Sequence, residues 1–113
     1  MENCLFCKII RGEIPSAKVY ENEYVYAFRD IAPQAPVHVL IVPKQHMDNV
    51  LALHEHEGLA AHVFAAVAEI AKSEGVAESG FRLITNCGKD GAQSVNHLHF
   101  HLLGGTQLSE KMN

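Results

Sequence analysis

Residues His97-Leu98-His99-Phe100-His101-Leu102-Leu103 alternate imidazole and apolar side chains with a period of two. On an extended strand that spacing sends Leu98, Phe100 and Leu102 into a core and His97, His99 and His101 to the opposite face. At ~3.3 Å rise per residue, neighbouring imidazoles start about 7 Å apart and the outer pair about 13 Å. Rings so spread cannot easily share one tetrahedral ion with bonds of about 2 Å, so the row predicts divided roles. A solvated face that happens to carry histidines accounts for one or two of them, not for three at strict spacing. Neutral imidazole can act as nucleophile, proton carrier or metal ligand near pH 7.

Other residues could join that chemistry. Gly91, Gln93 and Ser94 form a loop just upstream, with a side-chain amide and a hydroxyl that can be aimed at an anion. His38 lies in the apolar run Val37 to Val42, where a polar side chain needs a partner. Cys4-x-x-Cys7 alone reads equally as a redox pair, a metal half-site or coincidence, although the βαβ pattern expected around a redox pair is missing. His54-Glu55-His56-Glu57, with His62 nearby, does not form His-Glu-x-x-His and reads as the solvated entrance of a helix, where acidic residues suit the dipole. Lys44 and Arg29 are single surface charges.

These groups need elements to hold them. Leu5, Phe6, Ile9 and Ile10 fall at helical spacing, which predicts a short helix from Cys4 to Ile10 stopped by Gly12. Lys18 to Tyr20 and Tyr24 to Arg29 read as a hairpin around Glu21-Asn22-Glu23. Pro33-Gln34-Ala35-Pro36 is a turn, and Val37 to Val42 is an interior strand ended by Pro43. Glu57 to Ser73 is the main helix, with Leu59, Val63, Phe64, Val67, Ile70 and Ala71 on its apolar stripe and Gly75 beyond its end. Phe81 to Asn86 supplies another strand, and Asn96 to Leu103 the last. The expected architecture is α+β: an antiparallel meander with one long helix on a face and a short N-terminal helix.

Composition bounds the rest. With 113 residues and 48% hydrophobic content, residues 1–113 form one domain large enough for a core without disulfides. Nine basic against thirteen acidic residues give a net charge of −4, with no basic block, which disfavours nucleic acid as a partner. The N-terminus carries no signal-like pattern, and the longest aliphatic run, Val39 to Val42, is far short of a membrane span. Three cysteines, Cys4, Cys7 and Cys87, argue for reduced thiols or metal and for the cytoplasm. Cys87 reads as a small buried residue.

Residues 97–103 match the signature His-Φ-His-Φ-His-Φ-Φ, with Φ apolar, and the sequence here resembles the histidine triad family. The resemblance runs on through Phe6-Cys7-Lys8-Ile9-Ile10, the segment Phe28 to His38, Val42-Pro43-Lys44 and Gly91-Ala92-Gln93-Ser94-Val95. The continuation Leu103-Gly104-Gly105 looks like the Hint branch, the nucleoside phosphoramidases, rather than the Fhit-like dinucleoside polyphosphate hydrolases. After it the chain departs from many Hint relatives, lacking their tryptophan- and proline-containing tail and whatever that tail gives the leaving-group side.

The resemblance implies a hydrolase acting on purine nucleotides of the AMP type. His99 would attack the α-phosphorus and carry a covalent nucleotidyl group, which water then removes. His101 and His38 would hydrogen-bond around phosphate and nucleophile, and Ser94 and Gln93 would donate to phosphate or leaving-group atoms, with Asn86 facing the same side. Asp30 would hold the ribose hydroxyls, and Ile31, Phe6, Ile9 and Phe28 would form the slot for the base, although the aromatics serve equally well as core. A subset of the family binds structural zinc, and the matching ligands are Cys4, Cys7, His46 and His97. The resemblance also implies a homodimer through the long helix and the Phe81 to Asn86 strand. Rival readings are a dinucleoside polyphosphate hydrolase using the same His99 chemistry, and a nucleotide-binding interaction module without turnover.

Overall fold

A computed structural model of the chain describes residues 3–113. Strands β1 (Lys18–Glu21), β2 (Val25–Arg29), β3 (Val37–Pro43), β4 (Phe81–Thr85) and β5 (Phe100–Gly104) form one antiparallel sheet in the order β1-β2-β3-β5-β4. Helix α1 (Leu5–Ile10) precedes the sheet, and a 3-10 helix (Val50–Glu55) and the long α2 (Glu57–Ser73) join β3 to β4. The first three strands follow one another as a meander. The last strand returns between β3 and β4, so the histidine-bearing segment ends in the interior of the sheet.

The period-two pattern sorts two cores onto the two faces. Val25, Ala27, Val39, Ile41, Leu98, Phe100 and Leu102 meet Val63, Ala66, Val67, Ile70 and Ala71 of α2. On the opposite face Tyr26, Phe28, Leu40 and Val42 meet Phe6 and Ile9 of α1. A six-residue helix is too short to persist alone, so α1 depends on burying Phe6, Cys7 and Ile9 and on its cap, the Cys4 Sγ accepting from the Cys7 N–H at 3.3 Å. The register places His38 opposite Leu103 and Leu40 opposite His101, which puts His38 and His101 on the α1 face of adjacent strands.

Two expectations need correction. The last strand begins at Phe100 rather than Asn96, because β4 stops at Thr85 and the β3 ladder stops at Ile41, both opposite Phe100. Ahead of it, residues 96–99 are held by other bonds, among them Leu98 N–H to the Met47 carbonyl at 2.7 Å. Leu98 nevertheless stays in the α2-side core, so the alternation outlasts the ladder. Phe64 is not on the buried stripe of α2: it is 52% exposed, with its ring flanking Phe100 at 5.9 Å. Ahead of α2, Val50 to Glu55 form a 3-10 helix of their own, capped by Asn49 Oδ1 accepting from Leu51 N–H at 3.0 Å. No described helix is long and apolar enough to cross a membrane.

Candidate active site and metal centre

The hydrogen bonds around His99 fix its tautomer. Its Nδ1 lies 2.8 Å from the carbonyl oxygen of His97, and a carbonyl only accepts, so Nδ1 carries the hydrogen. In the neutral ring Nε2 is then left with a lone pair, the form in which imidazole is a nucleophile. Its backbone is held too, since the Thr85 hydroxyl donates to the His99 carbonyl at 2.8 Å. The ring is buried at 3% exposure, edge-on to Phe6 with centroids 5.0 Å apart.

A second chain of bonds runs beside it. The Gln34 N–H donates to His38 Nδ1 at 3.0 Å, which leaves the His38 proton on Nε2. That nitrogen donates to His101 Nδ1 at 2.9 Å, so His101 keeps its own hydrogen on Nε2. Asp30 Oδ2 stands 3.3 Å from the same His38 Nε2, while Asp30 Oδ1 accepts from the Ala32 N–H at 2.8 Å. Burial, then the neighbouring His99 and His38, push the His101 imidazolium down to about 4, against an opposing pull from Asp30. Burial lowers His38 as well, again opposed by Asp30. Both rings are therefore neutral at pH 7, as the tautomer chain requires.

The third histidine of the row faces elsewhere. His97 Nδ1 lies 3.3 Å from Cys4 Sγ and 3.5 Å from Cys7 Sγ, and His46 Nδ1 lies 3.4 Å from Cys7 Sγ. One ligand atom from each of Cys4, Cys7, His46 and His97 comes within 4.8 Å of all the others. A tetrahedral ion with sulfur at about 2.3 Å and nitrogen at about 2.05 Å spans sulfur-to-nitrogen edges of about 3.5 Å, so the donor set fits one. The remaining ring nitrogens are tied as metal-binding histidines require: His97 Nε2 donates to the Pro43 carbonyl at 2.8 Å, and His46 Nε2 to Asp48 Oδ1 at 3.2 Å. Burial and the adjacent Cys4 push the Cys7 thiol up, so a thiolate there calls for a cation beside it. Asp30, His38 and His101 also bring ligand atoms within 4.8 Å of one another. Their tautomers argue against an ion, because Gln34 occupies His38 Nδ1 and the other nitrogen carries the proton.

The remaining candidates divide. Phe6, Ile9 and Phe28 are buried in the α1-side core, whereas Ile31 is fully exposed beside Asp30. Ser94 is exposed and lines an open cleft of about 870 Å³ with Cys4, Leu5, His46, Asp48 and Asn96. The Gln93 amide ties its loop to the segment after β3: it donates to the carbonyls of Asp48 at 2.6 Å and Val95 at 3.0 Å and accepts from Gly88 N–H at 2.9 Å. Asn86 Nδ2 likewise donates to the Gly91 carbonyl at 2.7 Å. Cys87 is half-buried. Sequence reasoning missed Gln34 and Thr85. Gln34 acts through its backbone amide, which leaves no trace in residue type, and Thr85 is an ordinary strand residue until its hydroxyl is placed.

The fold thus brings together a buried imidazole with a free Nε2 lone pair, a hydrogen-bonded histidine pair and a cysteine–histidine cluster beside one antiparallel sheet. The HIT domain family matches residues 11–108, and the chain belongs to that family. It is 49% identical over 108 residues to the purine nucleoside phosphoramidase of Escherichia coli (strain K12), covering 95% of this chain and 91% of that protein. It is 47% identical over 109 residues to a 14 kDa zinc-binding protein of Zea mays, covering 93% and 84%. A solved HIT family hydrolase from Clostridium thermocellum superposes with a TM-score of 0.95 at 48% identity, covering 100% of this chain and 99% of that one.

Proposed function

We propose that this protein is a nucleotide hydrolase that cleaves the P–N bond of purine nucleoside phosphoramidates through a nucleotidyl group carried on His99. The observation that supports this most is the His99 Nδ1–H bond to the His97 carbonyl, which frees Nε2 as a lone pair in a buried site. The similarity to a named purine nucleoside phosphoramidase supports the substrate class.

In the proposed reaction His99 Nε2 attacks the α-phosphorus, and the P–N bond breaks with its electron pair on nitrogen. The amine takes a proton from solvent on the open side, beside Ser94. The positive charge that forms on the His99 ring is stabilised by the His97 carbonyl. Water then attacks phosphorus, the bond to His99 breaks, and the water proton returns to solvent, leaving the nucleoside monophosphate. His101 offers its Nε2–H to the phosphoryl oxygens, held in that tautomer by His38. Asp30 takes the ribose hydroxyls, and the base lies by Ile31 over the edges of Phe6, Ile9 and Phe28. Asn86 and Gln93 serve by bracing the loop that presents Ser94.

Cys4, Cys7, His46 and His97 would hold zinc as a closed two-sulfur, two-nitrogen site, which supplies cross-linking rather than chemistry at phosphorus. His97 thereby joins α1 to the carbonyl that orients His99. A reducing compartment such as the cytoplasm keeps both thiols available. The open edge of β4 and the exposed rings of Phe64 and Phe81 are proposed as a homodimer interface. The test is trapping: single-turnover incubation with adenosine phosphoramidate, quenching without acid, and mass spectrometry should place an adenylyl adduct on the peptide carrying His99. An adduct on any other residue would overturn the assignment.

A further inference from the structure

Asp30 stands where two functions meet. Its Oδ1 is engaged by the Ala32 N–H, and its Oδ2 lies 3.3 Å from His38 Nε2, the atom that also donates to His101 at 2.9 Å. That nitrogen has one hydrogen and faces two acceptors, a neutral imidazole nitrogen and a carboxylate. The shorter contact takes the bond, but the charge of the carboxylate pulls on the same proton. The Asp30 side chain keeps 19% of its surface accessible, whereas that of His38 keeps 2%. A ligand can therefore reach the carboxylate and not the ring.

We propose that Asp30 couples ribose binding to the histidine relay: hydroxyls that bond Oδ2 draw the carboxylate off His38 and leave its Nε2–H to His101 alone. The inference rests on the reading above, in which Asp30 receives the ribose. Hydroxyl groups donating to a carboxylate spread its charge, and a proton no longer shared strengthens the bond into His101 Nδ1. Electron density drawn from His101 at Nδ1 makes its Nε2–H a stronger donor to the phosphoryl oxygens. The backbone supports the arrangement. Residues 30–36 form one loop between β2 and β3, and this loop grips His38 at both nitrogens, through Gln34 N–H on one and Asp30 on the other. Asp30 is thus a positioning residue for His101 as well as a contact for substrate.

A residue that only anchors ribose would change KM and leave kcat alone, whereas a coupling residue changes both. The kinetic arm compares adenosine phosphoramidate with its 2′,3′-dideoxy analogue at saturation. The wild type should lose about fivefold or more in kcat on the dideoxy substrate, a typical coupling between two sites. In Asp30→Asn, which keeps an acceptor for Ala32 but has no charge, the kcat ratio of the two substrates should fall to near one. An unchanged kcat on the dideoxy substrate, with only KM raised, would overturn the proposal. The binding arm needs no turnover: nitrogen-15 histidine spectra of the wild type are followed with AMP and with 2′,3′-dideoxy-AMP. AMP should shift the His38 and His101 ring nitrogens, and dideoxy-AMP should bind without that shift. Equal shifts from both would overturn the coupling while leaving phosphoramidase activity standing. An AMP-specific shift in a protein that fails to cleave phosphoramidates would overturn the reaction assigned above and support the coupling.

Discussion

The hydrogen-bonded pair His38–His101 makes stability depend on pH in a way that one substitution isolates. An unfolded histidine takes a proton near pH 6.5, but burial and the neighbouring His99 and His38 hold folded His101 down to about 4. Between those values the unfolded chain binds a proton that the folded ring refuses, so stability is full above the unfolded value and is lost as pH falls toward the folded one. From pH 6.5 to pH 5 the loss is about 2 kcal/mol at ~1.4 kcal/mol per pH unit. Solvent reaching the half-buried ring reduces it to about 1 kcal/mol. His101→Asn removes the titrating group, and its Oδ1 can still accept from His38 Nε2. Urea unfolding at pH 7 and pH 5, followed by far-ultraviolet circular dichroism because the chain has no tryptophan, gives the comparison. The wild type should lose about 1 kcal/mol more than His101→Asn between the two pH values. Effects common to both proteins, including acid competing for His46 and His97, subtract. Equal losses would refute the claim that His101 is held neutral by its surroundings.

Two further outcomes follow from the cysteine–histidine cluster and from the loop beside it. Metal analysis of gently purified protein should find about one zinc per chain, with Cys7→Ser reducing both the metal content and the thermal midpoint; well under one equivalent in the wild type would count against the site. Gly91→Ala should cost about 1–3 kcal/mol in urea unfolding, because an added Cβ would sit 2.5 Å from the Cys87 carbonyl oxygen, and a cost near zero would show that the loop yields freely.

Much of this arrangement was legible because it depends on period and residue type. The alternation from His97 to Leu103 gave the two faces correctly, since Leu98, Phe100 and Leu102 all reach the α2-side core. The extent of the last strand was not legible, because it depends on where β4 and the β3 ladder stop, which residues 96–99 do not encode. Phe64 fell at helical spacing with the stripe, but its ring sits at the edge of the α2 contact, where packing rather than period decides exposure. Resemblance brought Cys4, Cys7, His46 and His97 together as a ligand set, and the geometry gathers the same four atoms. Resemblance also set Gln93 at the phosphate; in the structure its amide bonds the Asp48 and Val95 carbonyls and the Gly88 N–H. The tautomers of His38 and His99 could not be read at all, since the Gln34 amide and the His97 carbonyl that fix them are backbone groups.

The central claim is that His99 Nε2 is the nucleophile in a phosphoramidase. Its most direct measurement is AMP release from adenosine phosphoramidate by the wild type and His99→Ala side by side, with a diadenosine polyphosphate as second substrate. The account predicts phosphoramidate turnover in the wild type and its loss in His99→Ala. Unchanged turnover in the variant, or cleavage of the polyphosphate alone, would contradict it.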